Sequence, residues 1–238
     1  TDPLLKLSRS AKKIARGEWD QMVEISRNDA IGELSRSFAH MAKQLQESFF
    51  TLEQRVEERT TELIALNQEL RRLAQVDGLT QVANRRHFDL YLEKEWQRLI
   101  REQKPLTLML CDVDYFKCYN DTYGHQAGDL CLQKIAQALT HTVQRASDLV
   151  ARYGGEEFAI ILSNTDSEGA VHLAQQIITA IRALQIVHAG SDKQYVTVSI
   201  GLATVVPSSQ ETLRSLVLSA DRALYTAKAL GRDRYYTA

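Results

Sequence analysis

The chain has 238 residues, of which 44% are hydrophobic and 25% charged, with a net charge of −1. This is ordinary soluble composition with room for one large domain or a domain with appendages, and its near-neutral balance gives no reason to expect nucleic acid as a partner. No apolar run is long enough to cross a bilayer and no signal peptide is visible, while Cys111, Cys118 and Cys131 lack metal-like spacing and read as reduced thiols of a cytosolic protein.

Three segments follow in order. From Pro3 to about Leu45 two amphipathic helical patterns flank a non-helical connector. Leu4, Leu7, Ala11, Ile14 and Ala15 mark the first. The connector holds Gly17-Glu-Trp-Asp20, with Val23 and Ile25 alternating in strand-like fashion. The second begins near Asp29-Ala-Ile-Gly32 and runs through Phe38, Met41 and Leu45. A stalk then continues the same register through Phe38, Ala42, Leu45, Phe49, Leu52, Val56, Leu63, Leu66, Leu70 and Leu73. The steps alternate four and three if Arg59 fills the missing seam position, which is the heptad signature of a parallel coiled coil. Arg59 either fixes register, leaves the coil easy to switch, or is an arginine snorkelling from a slightly splayed seam.

Beyond Asp77 the patterns predict a helix over Arg85–Glu102, a strand over Leu106–Asp112 and a helix over Gly128–Val143. A hairpin over Leu149–Ser163, a helix over Glu168–Leu184, a strand over Tyr195–Val205 and a helix over Glu211–Ala229 complete the order. Helices interleaved with strands about a hairpin indicate an α/β sheet with helices packed on it.

The chemistry concentrates in two places. Arg152-Tyr-Gly-Gly-Glu-Glu-Phe158 lies between apolar runs and reads as a hairpin whose turn carries both glycines. Glycine there lets a ligand approach the backbone, and adjacent carboxylates repel unless a cation or proton neutralises one. The segment is either a polar hairpin tip or a metal–phosphate site. The apolar run Leu106–Cys111 ends in Asp112-Val-Asp114-Tyr-Phe-Lys117, so Asp112 at a buried strand end can share a cation with Glu156. Oxygen ligands favour magnesium or calcium over zinc.

These residues resemble the signature of the GGDEF domain, the catalytic module of diguanylate cyclases, with glutamate at the third signature position. The resemblance runs from Asp77 to the C-terminus through Asp77-Gly-Leu-Thr80, Asn84-Arg-Arg86, Asp112-x-Asp114-x-Phe116-Lys117, Asn120-Asp-x-Tyr-Gly-His125-x-x-Gly-Asp129 and Ser219-Ala-Asp221-x-Ala-Leu-Tyr225-x-Ala-Lys228-x-x-Gly-Arg232. Upstream, Pro3, the segment Ala15 to Glu18 and Asp29-x-x-Gly32 resemble a HAMP domain, with Ala30 where that family usually has glutamate. The segments are then a HAMP domain over 1–48, a coiled-coil linker over 49–76 and a GGDEF domain over 77–238. The implied fold is a palm-like α/β sheet related to ferredoxin and adenylyl-cyclase folds and flanked by helices, preceded by a HAMP bundle and a parallel stalk.

The resemblance implies that a homodimer condenses two GTP into cyclic di-GMP and two pyrophosphates. It places two magnesium ions (or manganese) on Asp112, the Val113 carbonyl and Glu156, with Glu157 as a further metal ligand or base. Asn120 and Asp129 fall at guanine-binding positions, though taken singly they read as a helix cap and a turn former. Lys228 and Arg232 fall at triphosphate positions, though they also suit a helix C-terminus. Phe116 and Lys117 would meet phosphates, and Gly155 would leave room for the nucleotide. Arg145-Ala-Ser-Asp148 stands where the family has its product-inhibition site, and otherwise reads as a surface ion pair; Gln176 stands where a second arginine is usual. A HAMP domain further implies an upstream transmembrane segment and sensor, and the cytoplasmic face of a bacterial inner membrane. The competing expectations are a catalytically silent domain that binds GTP or cyclic di-GMP as a receptor, and a scaffold built on the coil.

Overall fold

The run Leu106–Val113 forms a strand in which every residue is buried, as a nearly continuous apolar stretch requires when both faces are covered. In chain order the elements are α1 (Asp2–Ile14), α2 (Ala30–Leu73), β1 (Ala83–Asn84), α3 (Arg85–Glu102), β2 (Leu106–Val113), α4 (Phe116–Tyr123), α5 (His125–Thr142), β3 (Leu149–Gly154), β4 (Glu157–Ser163), α6 (Ser167–Ala183), β5 (Val198–Val205), α7 (Leu213–Ala229) and β6 (Tyr235–Thr237). The computed structural model describes residues 2–16, 29–73, 75–208 and 210–238, without the side chains of 2, 3, 65 and 67–73. It divides into two units, Thr1–Leu70 and Arg71–Ala238.

In the second unit the sheet order is β1-β3-β4-β2-β5-β6. β2 lies between β4 and β5 and is antiparallel to both; the short edge strands β1 and β6 pair in parallel with β3 and β5. Successive side chains of a strand point to opposite faces. Leu106, Leu108 and Leu110 therefore pack with Phe88, Trp96 and Leu99 of α3 and with Leu216 and Leu224 of α7. Met109, Cys111 and Val113 pack with Tyr119, Ile135 and Ile177 of the opposite layer. The same alternation sends Asp112 toward the α7 side.

Local chemistry fixes the helix starts. Asn84 accepts from the His87 amide at 2.9 Å and opens α3 at the expected residue. Asp166 caps α6 through Gly169 at 2.9 Å, and Thr212 opens α7 with a reciprocal capping box to Ser215. Helices α5 and α7 shift by a few residues from their expected starts. The strand expected from Tyr195 begins at Val198, because Gln185–Val196 closes into a loop in which Val196 donates to the Ile186 carbonyl at 2.8 Å. Helix α4 and strands β1 and β6 were not foreseen.

Helix α7 lies directly on β5. A methyl group on Gly201 would overlap the Ala220 carbonyl oxygen and the Leu224 amide nitrogen, so only glycine permits this approach.

In the first unit Leu7 and Ser10 are the buried positions of α1, while Ser35 and Ala42 are buried on α2. Helix α2 runs unbroken for 44 residues, about 66 Å at 1.5 Å per residue. Its heptad positions Leu45, Phe49, Leu52, Val56, Leu63 and Leu66 are all exposed. Arg59, at the charged seam position, donates to Glu62 of its own helix at 2.6 Å. The side chains of Leu70 and Leu73, and the connector residues Gly17–Asp20, Val23 and Ile25, lie outside the described residues.

Gly201→Ala is expected to cost about 2 kcal/mol by overpacking, lowering Tm by roughly 4–8 °C. Thermal denaturation followed by circular dichroism checks this.

Candidate active site

The end of β2 and the hairpin beside it build the site. Asp112 pairs in register with Glu157 on one side and Ser199 on the other. Its carboxylate meets the Lys228 ammonium of α7 at 2.8 Å. The contact follows from strand alternation, which aims Asp112 at α7, and from the close seating of α7 on Gly201, one turn before Lys228. Burial pushes the Asp112 carboxyl above its ordinary range; the hydrogen bond and charge of Lys228 pull it down, and the negative charges of Glu156 and Glu157 push it further up. Asp112 is therefore a carboxylate short of positive charge.

The hairpin corrects one expectation. Gly154 still belongs to β3, and the register slips between Arg152 and Gly154, so Gly155 and Glu156 alone form the turn. Gly155 sits at φ +54°, and nothing lies within 4 Å of where a side chain would begin at either glycine. The Val113 amide donates to the Glu156 carbonyl at 3.4 Å, joining the turn to the strand end. Glu156 is half-buried and Glu157 exposed.

Arg152 stiffens this turn from behind. Its Nε donates to the Gly155 carbonyl at 2.9 Å, and its Nη1 lies 3.2 Å from Asp77 Oδ1. Burial would raise the Asp77 carboxyl, but the Thr80 hydroxyl and amide and the Arg152 charge outweigh it and hold the group below its ordinary value. The first residues after α2 thus hold the turn that carries Glu156.

Asp114 differs from Asp112. It is buried and fully satisfied, accepting from Thr197 Oγ1 and Ser199 Oγ at 2.7 Å each and from the Asp233 amide at 3.1 Å. That makes it an anchor between the β2 end, β5 and the segment after α7. Asp233 in turn accepts from Arg182 at 2.9 Å. Next to it, Arg232 stacks over the Tyr115 ring at 4.4 Å and donates to its hydroxyl at 3.2 Å.

Helix α4 begins where β2 ends. The Phe116 side chain is buried and stacked with Tyr119, while Lys117 is exposed. Asn120 Oδ1 is buried with no hydrogen-bond partner, an acceptor awaiting a donor. It occupies the space that a side chain at Gly128 would need. Asp129 is exposed on α5.

Arg145 and Asp148 lie apart from these groups. They line a cavity of about 340 Å³ with Thr165, His172, Leu173 and Gln176. Arg145 donates to Thr165 Oγ1 at 3.2 Å, and Asp148 accepts from the Ser163 amide at 3.2 Å. Burial raises the Asp148 carboxyl; the Ser163 amide, Ser147 and Arg145 oppose the rise. His172 meets Gln176 at 3.1 Å.

Among the described residues no three His, Cys, Asp or Glu side chains stand together to hold a metal. The donor set still suits magnesium, which characteristically uses one or two carboxylates and completes its shell with substrate phosphates and water.

Sequence reasoning named Arg152, Asp77 and Asp114 inside motifs but assigned them no role, and it missed Tyr115, His172 and the Lys228–Asp112 contact. The ends of the Asp77–Arg152 pair are 75 residues apart, so no local spacing could have shown it.

Comparison with known proteins supplies the family. Residues 74–234 match the family described as diguanylate cyclase, GGDEF domain, and residues 1–47 match the HAMP domain. The probable diguanylate cyclase DgcC of Escherichia coli K12 is 34% identical over 174 residues, 73% of this chain and 46% of that protein. The bifunctional diguanylate cyclase/cyclic di-GMP phosphodiesterase MucR of Pseudomonas aeruginosa is 36% identical over 188 residues, 77% of this chain and 27% of that protein. The chain spans less than half the length of these relatives. Among solved structures, the coiled coil and GGDEF domain of DgcB from Caulobacter crescentus, in complex with c-di-GMP, superposes with a TM-score of 0.69 at 32% identity, covering 79% of this chain and 100% of that one. With the family match extending over most of its length, the chain belongs to the family of diguanylate cyclase GGDEF domains.

Proposed function

We propose that this chain condenses two GTP molecules into cyclic di-GMP and two pyrophosphates, each 3′-hydroxyl attacking the α-phosphate of the nucleotide held by the other subunit. The observation that carries the reading is the charge-starved Asp112 beside Glu156 and Glu157, with Lys228 across from it. Asp112, Glu156 and the Val113 carbonyl would hold two magnesium ions. Magnesium, when bound, neutralises triphosphate charge and acidifies the attacking hydroxyl.

The chain's own residues do the rest. Lys228 favours the charged form of Asp112 in the free protein and would turn to the triphosphate once nucleotide is bound. Arg232 and the first amides of α4, at Phe116 and Lys117, take the remaining phosphate charge. Asn120 and Asp129 read the guanine edge, its N–H groups answering the orphaned Asn120 oxygen. The open space at Gly155 admits the nucleotide, and Glu157 serves as a further metal ligand or as the base.

One domain holds one GTP, so activity needs a pair. The exposed seam of α2 suits a second copy in parallel, holding two catalytic domains at high effective concentration. The tie from Asp77 through Arg152 to Gly155 gives a change at the stalk's end a route to the metal-binding turn. A HAMP domain at the N-terminus fits a sensor at the cytoplasmic face of an inner membrane; no described helix is itself long and apolar enough to cross one. The Arg145–Asp148 cavity, also lined by His172 and Gln176, would take a guanine of the product and lower turnover when filled.

Incubating the chain with GTP and magnesium at several protein concentrations tests the reading. Cyclic di-GMP should form with more-than-linear dependence on protein, and Asp112→Asn should lower the rate by about two orders of magnitude or more. GTP bound without product at any concentration would point instead to a receptor. Arg145→Ala should leave the initial rate intact and abolish the slowing as product accumulates; unchanged slowing would remove the cavity from the account.

A further inference from the structure

The loop between α6 and β5 belongs to none of the motifs described above, yet it carries a completely buried histidine. His188 is 0% exposed. Its Nε2 lies 3.2 Å from the Tyr115 carbonyl oxygen. A carbonyl can only accept, so Nε2 carries the proton and the ring donates. Nδ1 is buried with no hydrogen-bond partner among the described residues.

The loop is built to present that ring. His188 donates its amide to the Gln194 carbonyl at 3.0 Å and accepts at its own carbonyl from Ser191 at 3.1 Å. Gln185 and Gln194 flank it in left-handed conformations, φ 45° and 63°, which side-chain-bearing residues adopt only when held there. From this base the loop grips α4 at four points. The His188 ring meets Tyr115 and also packs edge-on against the Tyr119 ring at 5.3 Å. The Ala189 amide donates to Tyr123 Oη at 2.9 Å. Gly190 faces the Cys118 sulfur so closely that a side chain there would overlap it. Positions 115, 118, 119 and 123 follow helical spacing along one side of α4.

The held helix is the one that offers its Phe116 and Lys117 amides and Asn120. Tyr115, which opens it, is itself left-handed at φ 56° with no side-chain cap. The His188 hydrogen bond falls on the carbonyl of this strained residue, at the point that sets the direction of the first turn. We propose that His188 is a positioning residue for the nucleotide: with Ala189 and Gly190 it forms a clasp that fixes the start of α4, so that its amides and Asn120 meet GTP without first being ordered. This rests on the reading of α4 as part of a GTP site.

The test uses the full chain and a GTP analogue bridged by methylene between the α- and β-phosphates, with binding read by calorimetry alongside KM and kcat for GTP. His188→Leu removes the donor at similar bulk and should weaken analogue binding about tenfold, the effect of one buried acceptor left unpaired. KM should rise with it, while kcat changes less. His188→Gln, which keeps an N–H donor, should recover most of the affinity. Should His188→Leu fail to fold, Tyr123→Phe removes the second contact of the clasp at a partly exposed site, and should weaken binding by about threefold. Unaltered analogue affinity in the folded variants, with only Tm or the active fraction reduced, overturns the clasp and leaves a core-filling ring. A parent chain that binds no analogue overturns the nucleotide reading itself and the clasp's role with it.

Discussion

One carboxylate carries the architecture: Asp112, delivered by the most deeply buried strand of the sheet to a place where its charge is poorly compensated. A strand covered on both faces has no freedom to retreat, so the acid at its end stands where the sheet puts it. Burial and two neighbouring glutamates act against its ionisation, and among the described residues Lys228 favours it. On the proposed reading, a site arranged in this way would gain from additional positive charge entering with a phosphate-bearing ligand. The seating of α7 on Gly201 serves the same end, because it brings Lys228 within reach of a strand side chain.

Around this centre lie groups whose role is rigidity. Asp114, two residues on, has the same chemistry and the opposite situation, with hydroxyls and an amide meeting both oxygens. It is buried at little cost because it is fully hydrogen-bonded. Arg152 holds the turn from one side, and the 185–196 loop holds α4 from the other. The acids proposed to hold metal and the helix proposed to meet the nucleotide are thus each supported from a segment outside the proposed ligand contacts, the arrangement that preorganised sites require.

Much of this was legible in the sequence, and what was not had physical reasons. The apolar run before Asp112 announced a central strand, and the Asn84 cap and apolar period of α3 gave that helix its observed bounds. Period and capping are local signals, so they survive in the linear chain. Helix α4 spans only eight residues and its apolar positions are aromatic, too short for a period to emerge. Strands β1 and β6 have two and three residues and exist only because a neighbour's edge receives them. The turn was misread because two adjacent glycines look like a turn, while the register places one of them in the strand. The motifs named the acids, but the difference between Asp112 and Asp114 lies in which groups β5 and α7 bring to each. Such pairings are tertiary, and spacing does not encode them.

The most direct test of the account is a crystal structure of the chain with magnesium and a non-hydrolysable GTP analogue, read at the Lys228 ammonium. Lys228 should then leave Asp112 for the triphosphate, with magnesium held at Asp112 and Glu156. A nucleotide bound with Lys228 still seated on Asp112, and no cation between them, would contradict it.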